Sequence, residues 1–134
     1  MADMTLFQSF VEAVAEGKHN FATATLKVAL TSVAPSTSNS VLADLTQISY
    51  TNLSSRTVTT SSSSQTGGVY SLVCADLELT ASGAVAPFRY IVLYNDSATN
   101  DELIGFWDFG SPLTLANGDV FVVDFDATGV FSLE

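Results

Sequence analysis

The sequence predicts a mainly β domain, with antiparallel strands in two packed sheets or a closed barrel and one N-terminal α-helix before them. Three observations carry the prediction. A 3.6-residue apolar period is confined to the first sixteen residues; beyond His19 the period falls to two; and Gly, Pro, Asn and Asp punctuate the remainder at short intervals. A chain of 134 residues, 47% apolar, is long enough to bury a core as one domain without disulfides or metals.

The helix is expected over residues 1–17. Leu6, Phe7, Phe10, Val11 and Val14 fall on one helical face, Thr5 or Asp3 can cap its start, and Gly17 suits the left-handed position after its end. Phe7 and Phe10 on so short a helix must pack against either the body of the domain or a neighbouring subunit. Leu26, Val28 and Leu30 then alternate with Lys27, Ala29 and Thr31 as a strand that Pro35 ends. Residues 36–64 read as a Ser/Thr-rich loop or arm, interrupted by Val41, Leu42, Leu45 and Ile48. A helical turn is expected near Ala43 and an edge strand at Arg56 to Thr60. The segment is either a surface loop or an arm that orders against a partner.

From Val69 to Leu79 one strand is expected, with Val69, Val73, Ala75, Leu77 and Leu79 on a shared face. Residues 81–83 turn the chain. Phe88 to Tyr94 is apolar on both sides apart from Arg89, and Leu103 to Phe109 is similar. Residues 110–112 predict a turn, Leu113 and Leu115 a short strand, and Asn117-Gly118 a hairpin. Val120 to Phe125 and Val130 to Leu133 complete the set. Two strands apolar on both faces need a second cover, either the N-terminal helix or another protein.

Composition excludes several functions. With 4 Lys+Arg against 14 Asp+Glu, and a charge of −10, there is no basic stripe to neutralise phosphates, so nucleic-acid binding is not expected. The longest uncharged stretch, 57–75, is dominated by Ser and Thr and broken by Gly67 and Gly68, so no membrane span is expected. No basic segment precedes the first apolar residues, so no secretory signal is read. Charged residues are only 13%, while Ser and Thr occupy 17 and 15 positions, which gives a surface of neutral hydroxyls. The lone Cys74 reads as a small buried hydrophobe.

The inventory for catalysis is thin. His19 has no Asp or nucleophile near it in sequence, and no Gly-x-Ser-x-Gly, His-Glu-x-x-His or phosphate-binding glycine loop occurs. No enzyme activity, cofactor or metal is expected. Asp124 and Asp126, with Asp96, Asp101 and Asp119, are placed either to bind calcium or to shape turns. Asp124 and Asp126 as a hydrolytic acid/base pair is the weaker use of them. Tyr50, Tyr70, Tyr90, Tyr94, Phe106, Trp107 and Phe109 can stack on a sugar or anchor a protein interface.

The succession of segments resembles one protein family. Gly17-Lys-His-Asn-Phe leads into Thr25-Leu-Lys-Val-Ala-Leu-Thr, followed by Ala43-Asp-Leu-Thr-Gln-Ile and Gly67-Gly-Val-Tyr. Pro87-Phe-Arg-Tyr-Ile-Val-Leu-Tyr-Asn-Asp, Leu103-Ile-Gly-Phe-Trp-Asp-Phe-Gly and Val123-Asp-Phe-Asp-Ala-Thr-Gly-Val-Phe come next. In this order they resemble small structural proteins of tailed-bacteriophage virions, of the capsid cement or decoration type. The Ser-rich stretch 54–64 departs from that pattern. The resemblance implies an antiparallel β-sandwich, jelly-roll-like, on the capsid exterior, where it bridges neighbouring major capsid subunits as a dimer or trimer. Phe7, Phe10, Leu42, Leu45, Phe88, Tyr90, Tyr94 and Trp107 are the expected interface residues. The alternative is a carbohydrate- or receptor-binding β-sandwich module on a tail or baseplate.

Overall fold

A computed structural model describes residues Met4–Leu133. It is mainly β, 44% strand against 8% helical, with antiparallel sheets and a β-sandwich-like arrangement. The elements run β1 (Thr5–Leu6), α1 (Ser9–Ala15), β2 (Leu26–Thr31), a 3-10 turn (Leu42–Asp44), β3 (Thr57–Val58) and β4 (Thr60–Thr66). Then come β5 (Val69–Cys74), β6 (Leu77–Thr80), β7 (Phe88–Asn95), β8 (Leu103–Leu113), β9 (Val120–Val123) and β10 (Phe131–Leu133). The main sheet has the order β1-β8-β7-β2-β3; a three-stranded sheet is ordered β10-β5-β4, and β6 pairs with β9.

The apolar runs explain the strand order. β7 and β2 hold the interior of the main sheet, where both faces are covered, and they are its most continuously apolar strands. One face presents Leu26, Val28, Leu30, Ile91, Leu93, Ile104 and Trp107 to Leu72, Cys74, Leu79, Phe121, Val123 and Phe131 from the smaller sheets. These side chains form the principal core. The opposite face carries Ala29, Val92, Tyr94 and Leu103, packed with Phe7, Leu42, Leu45 and Phe106.

That second cover comes from the chain itself. The first half of the 36–64 segment folds back so that the Leu42 N–H donates to Asp101 O at 3.1 Å, and the Leu103 N–H to Ser40 O at 3.0 Å. The carboxylate of Asp44 accepts from the N–H groups of Ser40 (3.0 Å) and Val41 (3.3 Å), which closes the turn. Those bonds hold the Asp44 carboxyl below its usual range. The helical turn near Ala43 thus forms as the sequence predicts, and Leu42 and Leu45 seal the sheet.

Several elements differ from expectation. The helix is shorter than residues 1–17: Thr5 and Leu6 are a strand paired with Phe106 and Gly105 of β8. Two residues of unpaired β8 edge thereby gain a ladder, and the strand needs the absence of a side chain at 105. A Cβ there would lie 2.6 Å from Met4 Sδ and 2.9 Å from Thr5 O. Gln8, not Thr5, occupies the N-cap and makes no side-chain cap bond; Asp3 lies outside the described residues. Phe10 and Ala13 face inward, while Val11 is 65% exposed. The C-terminus follows the sequence: Gly17 has φ +75, its N–H donates to Val14 O and the Lys18 N–H to Ala13 O, which is a Schellman closure.

The Ser-rich stretch is a strand. Ser62 to Thr66 of β4 pair with Val69 to Val73 of β5 around Gly67 and Gly68, with backbone hydrogen bonds supplying what burial does not. The expected strand 69–79 is two strands in different sheets. Leu72 and Cys74 are buried in β5 but Leu79 in β6, because Ala75-Asp76 reverses the parity of the inward face. β8 runs through the expected turn at 110–112 and takes up Leu113. Gly110 at φ +99 and a register shift opposite Phe88 to Tyr90 absorb the irregularity as a bulge. At Asn117-Gly118 the chain does turn, with the Asp119 N–H donating to Ala116 O at 3.0 Å. The flanking segments do not pair with each other, since β9 joins β6.

Candidate functional site

The structure distributes the expected interface residues unevenly. Phe7, Phe10, Phe88, Tyr94 and Trp107 are buried in the chain's own cores, while Leu42, Leu45 and Tyr90 remain partly exposed. Burial also removes most of the aromatic platform. Trp107 packs edge-on to Phe125 at 5.6 Å, and Tyr50 lies beneath the Arg56 guanidinium at 3.7 Å. Phe109, 43% exposed, is the most open ring.

Carboxylates expected as possible calcium ligands shape loops instead of converging. Asp119 accepts from the Ala116 N–H at 2.9 Å. Asp126 accepts from the N–H and hydroxyl of Thr128 at 2.8 and 2.7 Å, which holds its carboxyl below the usual range. Asp124 is exposed. Among the described residues no group of three or more His, Cys, Asp or Glu side chains is arranged to hold a metal ion. Cys74 is buried, and burial pushes its thiol up to about 11, which keeps it in the weakly reactive protonated form.

A buried polar cluster appears where sequence offered only a lone histidine. His19 follows the Schellman turn and stacks on Phe21 at 5.1 Å, with Phe10 at 5.5 Å. Its Nδ1 lies 3.0 Å from Asn95 Nδ2 at the end of β7. An amide NH2 can only donate, so Nδ1 accepts and the proton of the neutral ring sits on Nε2. Across the β7–β8 connection the Asn95 N–H donates to Glu102 O at 3.0 Å. His19 is 9% exposed and Glu102 6%, and His19 Nε2 and Glu102 Oε2 are both buried without a hydrogen-bond partner. A buried polar atom left unmatched costs on the order of 1–3 kcal/mol, so these atoms mark a place where stability has been given up.

Clefts surround the cluster. Glu102 lines one of about 200 Å³ between α1 and the Ser40-Val41 segment, and another of about 370 Å³ against residues 97–100. On the far side, His19, Phe21, Tyr70 and Leu133 line an open groove of about 520 Å³.

Burial lowers the pKa of His19 from its ordinary 6.5, against the opposing pull of the Glu102 charge. The unfolded chain therefore takes up this proton at a higher pH than the folded one. The stability contributed by neutral His19 is fully present above about pH 6.5 and declines as pH falls below it. We expect the urea midpoint of the wild type to drop more steeply between pH 6.5 and 5 than that of His19→Gln. Parallel curves would show that His19 does not titrate differently on folding.

Every basic side chain is already engaged. Arg89 grips Asp108 through two bonds of 2.8 and 3.0 Å, and Arg56 donates to Val28 O at 2.7 Å. Lys27 lies 3.5 Å from Asp96 and Lys18 3.7 Å from Glu16. Most of the described Asp and Glu side chains are exposed, Glu102 being buried, and they have little opposing cation.

Exposed apolar side chains occur singly at Leu6, Val11, Val33 and Val69, and three more lie on β8 and β9. Val120 and Val122 on the outward face of β9 are 51% and 42% exposed, while the Phe109 ring, 43% exposed, packs on Phe121 of the opposite, inward face of that strand at 5.5 Å. Beside it, the outer edge of β8 from Trp107 to Leu113 has no partner strand among the described residues, since β1 reaches only Gly105 and Phe106. Pro112 and the Gly110 bulge interrupt this edge and oppose uncontrolled strand addition. Comparison with protein-family models, curated proteins and solved structures finds no match to this chain.

Proposed function

We propose that the protein is a non-enzymatic structural protein of a bacteriophage virion, a cement or decoration protein that binds the outside of the assembled capsid and bridges major capsid subunits. The observation that carries the reading is the apolar surface left exposed at Phe109 on the open-edged part of β8 and at Val120 and Val122 on β9, on a chain rich in hydroxyls and poor in cations. Such surface provides contact area without chemistry. A protein that binds only the assembled shell stabilises it by mass action, and a dimer or trimer engaging several subunits holds on through weak individual contacts. The jelly-roll form of the sandwich belongs to this proposal.

The test is co-sedimentation with capsids assembled without the protein. The wild type is expected to pellet with them and to raise their melting temperature. Phe109→Ser with Val122→Ser is expected to lose binding about tenfold or more while changing the protein's own stability little, as partly exposed positions usually do. A wild-type protein that stays in the supernatant, or that binds glycans instead, would overturn the reading.

A further inference from the structure

We propose that the cleft between α1 and the β7–β8 connection is a socket for the guanidinium group of an arginine side chain from a partner protein. The inference rests on the reading that this protein works by contact with another protein, and it names one chemical feature of that partner.

Glu102 is the floor of the argument. It is 94% buried, since only 6% of it is exposed, it lines both clefts beside α1, and its Oε2 has no hydrogen-bond partner. The 200 Å³ cleft adds the side chains of Glu12 and Glu16 from α1, with Ser9, Ser40 and Asn100 as further hydrogen-bonding groups. The exposed Glu12 and Glu16, with the buried Glu102 in the same lining, share a single cation there, Lys18, which already lies 3.7 Å from Glu16 and is half exposed. The next residue back in the chain reports the same field. Asp101 is held above its usual carboxyl range by burial and then by the charges of Asp96 and Glu102, with Lys27 opposing.

The shape selects among cations. A metal ion needs several carboxylates converging on one point, and no such convergence exists among the described residues. Acceptors spread along a cleft suit instead a planar fork of five N–H donors, which can meet a carboxylate and hydroxyls together. Ala13 and Val41 in the wall offer apolar surface for the stem of a long side chain.

Titration with arginine blocked at both ends, which mimics a residue inside a chain, tests the socket without any capsid. The expected result is a saturable shift of the Lys18, Asn100 and Glu102 amide signals, about tenfold weaker in Glu102→Gln and several-fold tighter in Lys18→Met. Should Glu102→Gln fail to fold, the exposed pair Glu12→Gln and Glu16→Gln is expected to weaken binding about threefold. No saturable shift, an equal response from blocked norleucine, or undiminished binding in the variants would overturn the proposal. Binding of agmatine with exclusion of blocked arginine would also overturn it, in favour of a small-molecule cation. Blocked arginine that binds, beside capsids that do not, would count against the cement reading alone; capsids that bind while blocked arginine does not would count against the socket alone.

Discussion

Phe10→Ala is expected to destabilise the fold by about 3–5 kcal/mol, as loss of a buried Phe side chain typically does, whereas Val11→Ala next to it is expected to change stability by less than about 0.5 kcal/mol. Phe10 is fully buried and is the hub of an aromatic cluster, with Phe131 edge-on at 5.0 Å, His19 at 5.5 Å and Phe21 at 6.1 Å. These rings come from α1, the loop after it and the last strand, so truncation loosens three parts of the chain at one point. Net stabilities of domains are about 5–15 kcal/mol, so the loss takes a large share. Urea denaturation read by circular dichroism gives both values. Equal effects at 10 and 11 would mean that α1 does not present the inward face described.

Trp107→Ala is the second large effect, about 3–5 kcal/mol for removal of a buried Trp, and it separates two roles for that ring. Trp107 is 5% exposed, lies opposite Ile91 across the β7–β8 ladder and packs on Phe125. On a sugar-binding surface the same substitution would abolish binding and leave the fold intact. Here the urea midpoint should fall sharply, and Phe109→Ala, whose ring is 43% exposed, should leave it nearly unchanged. A Trp107→Ala protein as stable as the wild type would place the ring at the surface.

What the sequence conveyed depended on whether burial wrote the pattern. β2 and β7 were legible because packing against two layers demands continuous apolar residues, and the Schellman end of α1 because Gly17 is one of few residues that accept φ +75. β4 was not, because both its faces are largely solvated and its partner is bound through the backbone. The run of Leu6, Phe7, Phe10, Val11 and Val14 misleads for another reason. Phe7 packs on one face of the main sheet and Phe10 in the core on the other, so two separate demands mimic one helical stripe. The polar cluster was beyond reach: His19 and Asn95 are 76 positions apart, and only the closed sheet brings them together.

The pairing of Thr5 with Phe106 has a consequence for how the chain is made. When β1 leaves the ribosome it has no place to go until the strand it joins has also emerged, about a hundred residues later. At roughly 5–20 residues per second that is a wait of some 5 to 20 seconds, during which Phe7 and Phe10 are without their final neighbours. The sheet is thus closed at its β1 edge only after some hundred further residues have been made, and sites so distant in sequence fold in milliseconds to seconds rather than microseconds.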